Sequence, residues 1–173
     1  MYSCQALRRS LSAGEHDQVL SQLYALDGAD SSLAAARARA LRVVEAFQEH
    51  FAPKEDTPAA LFSGPGRTEI GGNHTDHQHG RVLCGSVDLD MLACAAPNGL
   101  NVIRVVSEGY PVLKVELDKL IPRKEERNTS AALVRGVAAK IQELGYPLAG
   151  FDAYVTSSVL SGSGLSSSAA YEI

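Results

Sequence analysis

Hydrophobic positions in the N-terminal third of the chain repeat with the period of an α-helix. Apolar side chains recur at spacings of three and four residues between Leu33 and Phe51, which predicts one long amphipathic helix. Asp30 or Ser31 is placed to cap its N-terminus, and Pro53 predicts where the helix ends. A shorter helix is predicted over about residues 15–26. The N-terminal part is therefore predicted to be helical.

After Pro58 the pattern changes to apolar segments separated by glycines and polar residues. Ala60-Leu61-Phe62 predicts a short strand, and the polar residues from Ser63 to Gly80 predict a loop. The apolar run from Val82 to Ala96 is long enough for one bent strand. Asn98-Gly99 follows it and is typical of a hairpin turn, so residues 102–106 are predicted to return alongside that strand.

The last third combines a helix with further strands. Residues 112–117 predict a strand, and residues 129–144 predict a helix with Thr129 as its N-cap. The helix face predicted to be buried holds Leu133, Val137, Ile141 and Leu144. Alternation of apolar and polar side chains over residues 151–156 predicts a half-exposed strand. The order of elements, without regular β-α-β alternation, predicts the α+β class.

Composition narrows the classes of partner. The 173 residues carry a formal net charge of −4, with 45% hydrophobic and 21% charged residues, as in an ordinary globular protein. No apolar run approaches the ~20 residues that span a bilayer. The net negative charge argues against nucleic acid as the main partner, because contacts with phosphates favour clustered Lys and Arg. The three cysteines are odd in number and irregularly spaced, which favours a reducing compartment. We expect a cytoplasmic protein with neither a membrane nor a nucleic-acid partner.

The segment from Ser157 to Ala170 has the composition of a phosphate-binding loop. Gly162 and Gly164 let a backbone approach an anion closely, and a helix start just after them would offer free N–H groups. The serines Ser166 to Ser168 add hydroxyls for phosphate oxygens or Mg²⁺. No Gly-Lys-Ser/Thr is present, so the segment is not a Walker A loop. The alternative is a flexible turn rich in glycine and serine.

A second segment, from Gly64 to Gly80, is dense in groups that bind polar ligands. Arg67 is a fixed cation with bidentate donors, and Asp76 is a carboxylate with several acceptor positions. Asn73 and His74 can each donate and accept, as sugar hydroxyls require. A metal site is one alternative, with the ligands His74, Asp76, His77 and His79. The other alternative is a structural polar loop.

Together the two segments resemble the galactokinase branch of the GHMP kinases. The branch signature Gly-Arg-Val-Asn-Leu-Ile-Gly-Glu-His-Thr-Asp-Tyr corresponds to the residues from Gly66 to His77, and the phosphate loop Gly-x-Gly-Leu-Ser-Ser-Ser-Ala is unchanged from Gly162 to Ala169. The resemblance covers about residues 58–173. It implies an N-terminal GHMP kinase domain of the ribosomal-protein-S5-domain-2-like fold over these residues, with residues 1–57 as a helical extension.

The resemblance implies ATP-dependent phosphorylation of galactose at its anomeric hydroxyl, with Mg²⁺ as cofactor. Arg67 would lie beside the reacting hydroxyl and the γ-phosphate, as the catalytic residue. The sugar-binding residues would be Asn73, His74, Thr75 and Asp76. The ATP-binding residues would be Gly162, Ser163, Gly164, Leu165, Ser166, Ser167, Ser168 and Ser107, with Ser168 also reaching Mg²⁺. A monomer is expected.

Two departures from the family pattern bear on function. Asn73 replaces the family's Glu, and His77 replaces its Tyr, so another hexose such as N-acetylgalactosamine is an alternative substrate. The family's catalytic Asp and second Mg²⁺ ligand lie downstream of the phosphate loop, after which this chain soon ends. We therefore expect a fragment, truncated before the C-terminal domain and inactive alone. A sugar- or ATP-binding sensor, or a non-catalytic remnant, is the other alternative.

Overall fold

The computed structural model describes residues 2–26, 30–72, 79–160, 162 and 164–173. The strands are β1 (Tyr2–Ser3), β2 (Pro58–Gly71), β3 (Leu83–Pro97), β4 (Val102–Ser107), β5 (Leu113–Glu116) and β6 (Phe151–Ser157). The helices are α1 (Cys4–Ser12), α2 (Asp17–Leu23), α3 (Asp30–Phe51), α4 (Ser130–Glu143) and α5 (Ser167–Glu172). This mixture of helices and strands confirms the predicted α+β class.

Two compact units divide the chain: the first holds residues 1–62 and 92–156, and the second holds residues 63–91 and 157–173. The strands lie in the order β1-β2-β3-β6-β4-β5, and β2 and β3 each have residues in both units. β4 runs parallel to β6, with Val105 opposite Ala153, and antiparallel to β5. The predicted boundary between residues 57 and 58 stays a prediction.

The core of the first unit joins N-terminal helices to the strands. Phe47 of α3 is fully buried and lies in one apolar cluster with Leu11 of α1 and with Leu92 and Cys94 of β3. Burial raises the pKa of the Cys94 thiol to about 12, because a thiolate is poorly solvated there. Burying an aromatic side chain such as that of Phe47 contributes a few kcal/mol to the free energy of folding. The long predicted helix is therefore held by packing of its apolar face.

Two helices of the first half form as predicted, and one helix was not predicted separately. α3 ends at Phe51, two residues before Pro53, as predicted, and α2 lies within the predicted residues 15–26. α1 was not predicted separately; its N-cap is Ser3, whose side chain accepts a hydrogen bond from the Ala6 N–H at 3.3 Å. The side chain of Asp30 lies outside the description, so its capping role stays a prediction.

The predicted loop from Ser63 is wrong over residues 63–71, because β2 continues to Gly71. Gly64 and Gly66 serve close approach rather than a turn. A Cβ at Gly64 would lie 2.5 Å from the Ala170 carbonyl oxygen, and one at Gly66 would lie 3.2 Å from the Leu89 carbonyl oxygen. A strand packed this tightly needs residues without side chains at these two positions.

The predicted hairpin at Asn98-Gly99 is also wrong, because β6 lies between β3 and β4. The Asn98 N–H donates to the Gly150 carbonyl at 3.2 Å. The Asn98 side-chain amide donates to the Val102 carbonyl at 3.1 Å and to Asp152 Oδ1 at 2.8 Å. This asparagine therefore links the turn to the intervening strand instead of closing a two-residue hairpin.

The C-terminal elements form where predicted but bury different faces. β6 is central, and Asp152, Ala153 and Tyr154 are all buried, so it is not half-exposed. In α4 the buried residues are Arg135 and Ala138, whereas Leu144, just beyond its end, is 61% exposed. The N-cap Thr129 is confirmed, since its hydroxyl accepts from the Ala132 N–H.

Candidate functional site

The second unit contains the two motifs that the sequence singled out. Arg67 lies on β2, and Leu165 lies in the segment that leads into α5. The Arg67 N–H donates a hydrogen bond to the Leu165 carbonyl oxygen at 3.0 Å. Residues almost one hundred positions apart in the sequence are thus joined through their backbones. The segment that contains Arg67 and the glycine-rich loop are therefore in contact at this bond.

Close packing around β2 holds these two motifs together. A Cβ at Gly66 would meet the side chains of Val87 and Val159, at 3.1 and 3.2 Å from one methyl carbon of each. Val159 itself is 3% exposed. β3 and the segment before the glycine-rich loop therefore both press on β2 next to Arg67. Any side chain larger than hydrogen at position 66 would force one of them to move.

Three described residues of the glycine-rich loop have left-handed backbone conformations. Gly162, Gly164 and Ser166 have positive φ values of 77°, 76° and 58°. Such residues turn successive N–H groups toward one side of a loop and make concavities that suit anions. The first two are glycines because a left-handed conformation costs other residues free energy. Ser166 adopts it immediately before α5 begins at Ser167.

The serines of this loop differ in their exposure. Ser166 and Ser167 are half-buried, whereas Ser168 is exposed. Ser168, in the first turn of α5, is therefore a solvent-exposed serine. Hydroxyl and phosphate oxygens are ligands of the kind that Mg²⁺ prefers, so this donor fits the cation that the family resemblance implies.

Asp90 on β3 is a buried carboxylate in the same unit, and no motif in the sequence pointed to it. Only 2% of the residue is exposed. The Ser63 hydroxyl donates to its Oδ2 at 2.6 Å. The Asp90 N–H donates to Ser158 Oγ at 2.9 Å, and that hydroxyl donates to the Asp90 carbonyl at 3.0 Å. The one available sequence signal is an acidic residue within an otherwise apolar run.

The structure brings together only part of the predicted site. The sugar-binding candidates Asn73, His74, Thr75 and Asp76 lie outside the described residues, as does Ser163 of the loop. Ser107 ends β4 in the first unit, where its carbonyl accepts from the Tyr110 N–H at 2.9 Å. The assignments of these residues stay predictions.

The alternative metal site also falls largely on residues outside those that the structure describes. His74, Asp76 and His77 lie outside the description, and only His79 of the four candidate ligands is described. Within the described ranges, no group of three or more His, Cys, Asp or Glu side chains is placed to hold a metal ion. In the same part of the chain, no helix is long and apolar enough to cross a bilayer.

Comparison with known proteins points to one family. Residues 45–97 match the galactokinase galactose-binding signature. A galactokinase of Streptococcus mutans is 32% identical over 133 residues, which cover 75% of this chain and 33% of that protein. The chain thus spans about a third of the length of the curated relatives it matches.

Solved structures agree with the sequence match. The crystal structure of Lactococcus lactis galactokinase complexed with galactose matches with a TM-score of 0.66 and 28% identity, over 74% of this chain and 33% of that one. Methanococcus jannaschii mevalonate kinase matches with a TM-score of 0.54 and 16% identity, over 69% of this chain and 38% of its own. The second likeness shows the fold alone, and it extends that fold to other GHMP kinases.

Proposed function

We propose that this chain, which is similar to galactokinases, forms one wall of the active site of an ATP-dependent galactose kinase. The reaction transfers the γ-phosphoryl group of ATP to the anomeric hydroxyl of galactose. The anomeric oxygen forms a bond to the γ-phosphorus, and the bond from that phosphorus to the β–γ bridging oxygen breaks. The products are galactose 1-phosphate, ADP and the proton of the hydroxyl.

One observation carries this proposal: the hydrogen bond from the Arg67 N–H to the Leu165 carbonyl. It joins the strand of the galactose signature to the glycine-rich loop within a single unit. A kinase needs its sugar and its nucleotide phosphates side by side, because phosphoryl transfer depends mainly on positioning and electrostatic stabilisation. Two motifs that only shared a chain would not meet this requirement.

Arg67 is the catalytic residue of the proposal. Its guanidinium is always charged and offers paired N–H donors. Beside the transferred group it would offset the negative charge that develops on the phosphoryl oxygens. The backbone bond to Leu165 holds the position on β2 from which the guanidinium extends. No residue of this chain is assigned as the base that accepts the hydroxyl proton.

The loop before α5 is proposed to hold the ATP phosphates. Its left-handed residues Gly162, Gly164 and Ser166 orient backbone N–H groups for anion contact. Ser163, Leu165 and Ser167 complete the loop, and Ser168 is proposed to ligate Mg²⁺ through its exposed hydroxyl. When bound, the ion neutralises phosphate charge. Ser107 is a further proposed nucleotide contact.

The sugar is proposed to be held by Asn73, His74, Thr75 and Asp76. Asp76 accepts from sugar hydroxyls, whereas Asn73 and His74 can donate or accept. Asn73 brings an amide donor to a position where the family carries a carboxylate, and one altered contact can change sugar preference. N-acetylgalactosamine is therefore the sugar to compare with galactose.

Isothermal titration of residues 1–173 tests the proposal. We expect heat from galactose and from ATP with Mg²⁺, and loss of the galactose heat alone in Asp76→Ala. Asp118→Ala, which removes an exposed carboxylate in the first unit, is the matched control. Heat from N-acetylgalactosamine without heat from galactose would change the assigned sugar. Absence of heat from every sugar and from the nucleotide would contradict the proposed active-site wall.

A coupled assay of ADP release tests the catalytic assignment. We expect no sustained turnover from residues 1–173 alone. In a longer protein that contains this chain and turns over, Arg67→Ala should lower kcat far more than it raises KM for the sugar. Asp76→Ala should mainly raise KM. Equal effects of both substitutions on both parameters would contradict the two roles.

A further inference from the structure

Asp90 lies between the strand that carries Arg67 and the segment that enters the glycine-rich loop. Its carboxylate accepts from Ser63 on β2, four residues before Arg67. Its backbone N–H and carbonyl both bond the Ser158 hydroxyl, and the carbonyl also accepts from the Ser158 N–H at 2.9 Å. One residue of β3 is therefore tied to both motifs of the proposed site.

Burial makes this arrangement costly unless it is well satisfied. Because Asp90 is only 2% exposed, its carboxylate loses most of its hydration, and such a loss requires compensating hydrogen bonds. The neighbouring positions of β3 are apolar or exposed. If packing were the only requirement, an apolar residue would suffice at position 90. The carboxylate instead supplies a directional bond to the Ser63 hydroxyl, which fixes a geometry that van der Waals contacts leave adjustable.

We propose that Asp90 is a positioning residue that fixes the entry of the glycine-rich loop relative to Arg67. The backbone of Asp90 holds the segment before the loop through its bonds to Ser158, and its carboxylate ties that same position to β2 through Ser63. The Arg67–Leu165 bond then closes a ring of contacts around the loop entry. Glycines within the loop leave it conformationally free, so its ends must be held from outside if its N–H groups are to be preorganised.

The inference rests on the proposed function, because preorganisation matters only if the loop binds nucleotide phosphates. Its first test needs no nucleotide: amide hydrogen exchange of residues 1–173 followed by NMR. In Asp90→Ala the Arg67 amide should exchange about tenfold faster, since loss of a buried hydrogen bond eases local opening. The Glu108 amide, bonded to the Val155 carbonyl in the first unit, should keep its exchange rate.

Nucleotide affinity provides the second readout, measured by titration with ATP and Mg²⁺. Asp90→Ala should weaken binding several-fold. Asp90→Asn should restore most of it, because its amide oxygen can still accept from Ser63. Asp88→Ala is the matched control, since Asp88 is an exposed carboxylate on the same strand, and it should change neither readout. A merely structural residue would not show this parallel between exchange at Arg67 and affinity.

Variants of the two bonded serines keep the test decisive if Asp90→Ala does not fold. Ser63→Ala removes the same side-chain bond from its other end, and Ser158→Ala removes both hydroxyl bonds but keeps the backbone bond from the Ser158 N–H. Each should speed exchange of the Arg67 amide and weaken nucleotide binding. Variants that fold but leave Arg67 exchange unchanged would overturn the inference.

The remaining outcomes separate the two proposals. Faster exchange with unchanged nucleotide affinity would overturn the positioning role and leave Asp90 as a structural residue. Failure of the unsubstituted chain to bind ATP with Mg²⁺ would contradict the proposed nucleotide site and the role in preorganising it, whatever the exchange rates show. Unchanged affinity in the variants of a chain that does bind would contradict only the role of Asp90.

Discussion

Arg135 of α4 donates two hydrogen bonds to the carboxylate of Glu126, from Nε to Oε2 at 2.7 Å and from Nη2 to Oε1 at 2.6 Å. Its side chain is only 3% exposed, and Nη1 also donates to the Lys119 carbonyl. A cation is thus buried on a helix whose pattern predicted an apolar face. Together these bonds fix α4 to the loop that follows β5.

We expect Arg135→Ala to lower the free energy of unfolding by roughly 2–4 kcal/mol, because it removes one partner of a buried ion pair and uncovers the Lys119 carbonyl. Urea unfolding measures the change. Arg123→Ala is the control: Arg123 lies 3.7 Å from the same carboxylate but is 35% exposed, so its loss should cost less than about 1 kcal/mol. Equal costs for the two variants would contradict the importance of the bidentate pair.

The same pair predicts a pH dependence of stability. Hydrogen bonds from Arg135 hold the pKa of Glu126 below its ordinary value. A lowered native pKa means that the ionised carboxylate adds stability above its unfolded-state pKa of about 4.3. That stability is lost as the pH falls through the native pKa. The difference in Tm between the unsubstituted chain and Glu126→Gln should therefore be full near neutral pH and shrink in acid. A difference that stayed constant with pH would contradict the linkage.

Gly136 offers a site for stabilisation. It lies inside α4, and a Cβ there would meet no atom within 4 Å. Gly136→Ala should raise the free energy of unfolding by about 0.5–1 kcal/mol, because alanine loses less backbone entropy in a helix. Gly145→Ala provides the contrast, since Gly145 has a φ of 83° just after the helix and alanine is strained there. Thermal unfolding should move in opposite directions for the two variants.

Gly64 and Gly71 lie on the same strand but differ in their surroundings. A Cβ at Gly64 would lie 2.5 Å from the Ala170 carbonyl oxygen of α5, whereas one at Gly71 would meet nothing within 4 Å. Gly64→Ala should cost about 1–3 kcal/mol because the α5 backbone must shift, and it should speed proteolysis near the C-terminus. Gly71→Ala should change neither quantity by a measurable amount. Similar behaviour of both variants would contradict the close contact between β2 and α5.

Local sequence predicted those elements whose ends depend on neighbouring residues. α3 stops at Phe51 before Pro53, and Thr129 caps α4, because both signals act within a turn of the helix end. The glycine-rich loop was also visible in the sequence, since only glycine takes left-handed conformations freely. The family resemblance added the galactokinase signature, which the match over residues 45–97 confirms.

Contacts between distant residues decided what the local pattern could not. The sequence by itself determined the helices other than α1, most of the strands, the α+β class and the two motifs of the candidate site, because each depends on residue type and short-range spacing. Only the tertiary structure made Ser63 to Gly71 a strand, placed β6 between β3 and β4, and buried Arg135 and Asp90. These features depend on pairing and hydrogen bonds between segments that are distant in the sequence, such as Asp90 and Ser158, which are 68 positions apart. Side-chain periodicity carries no information about such partners.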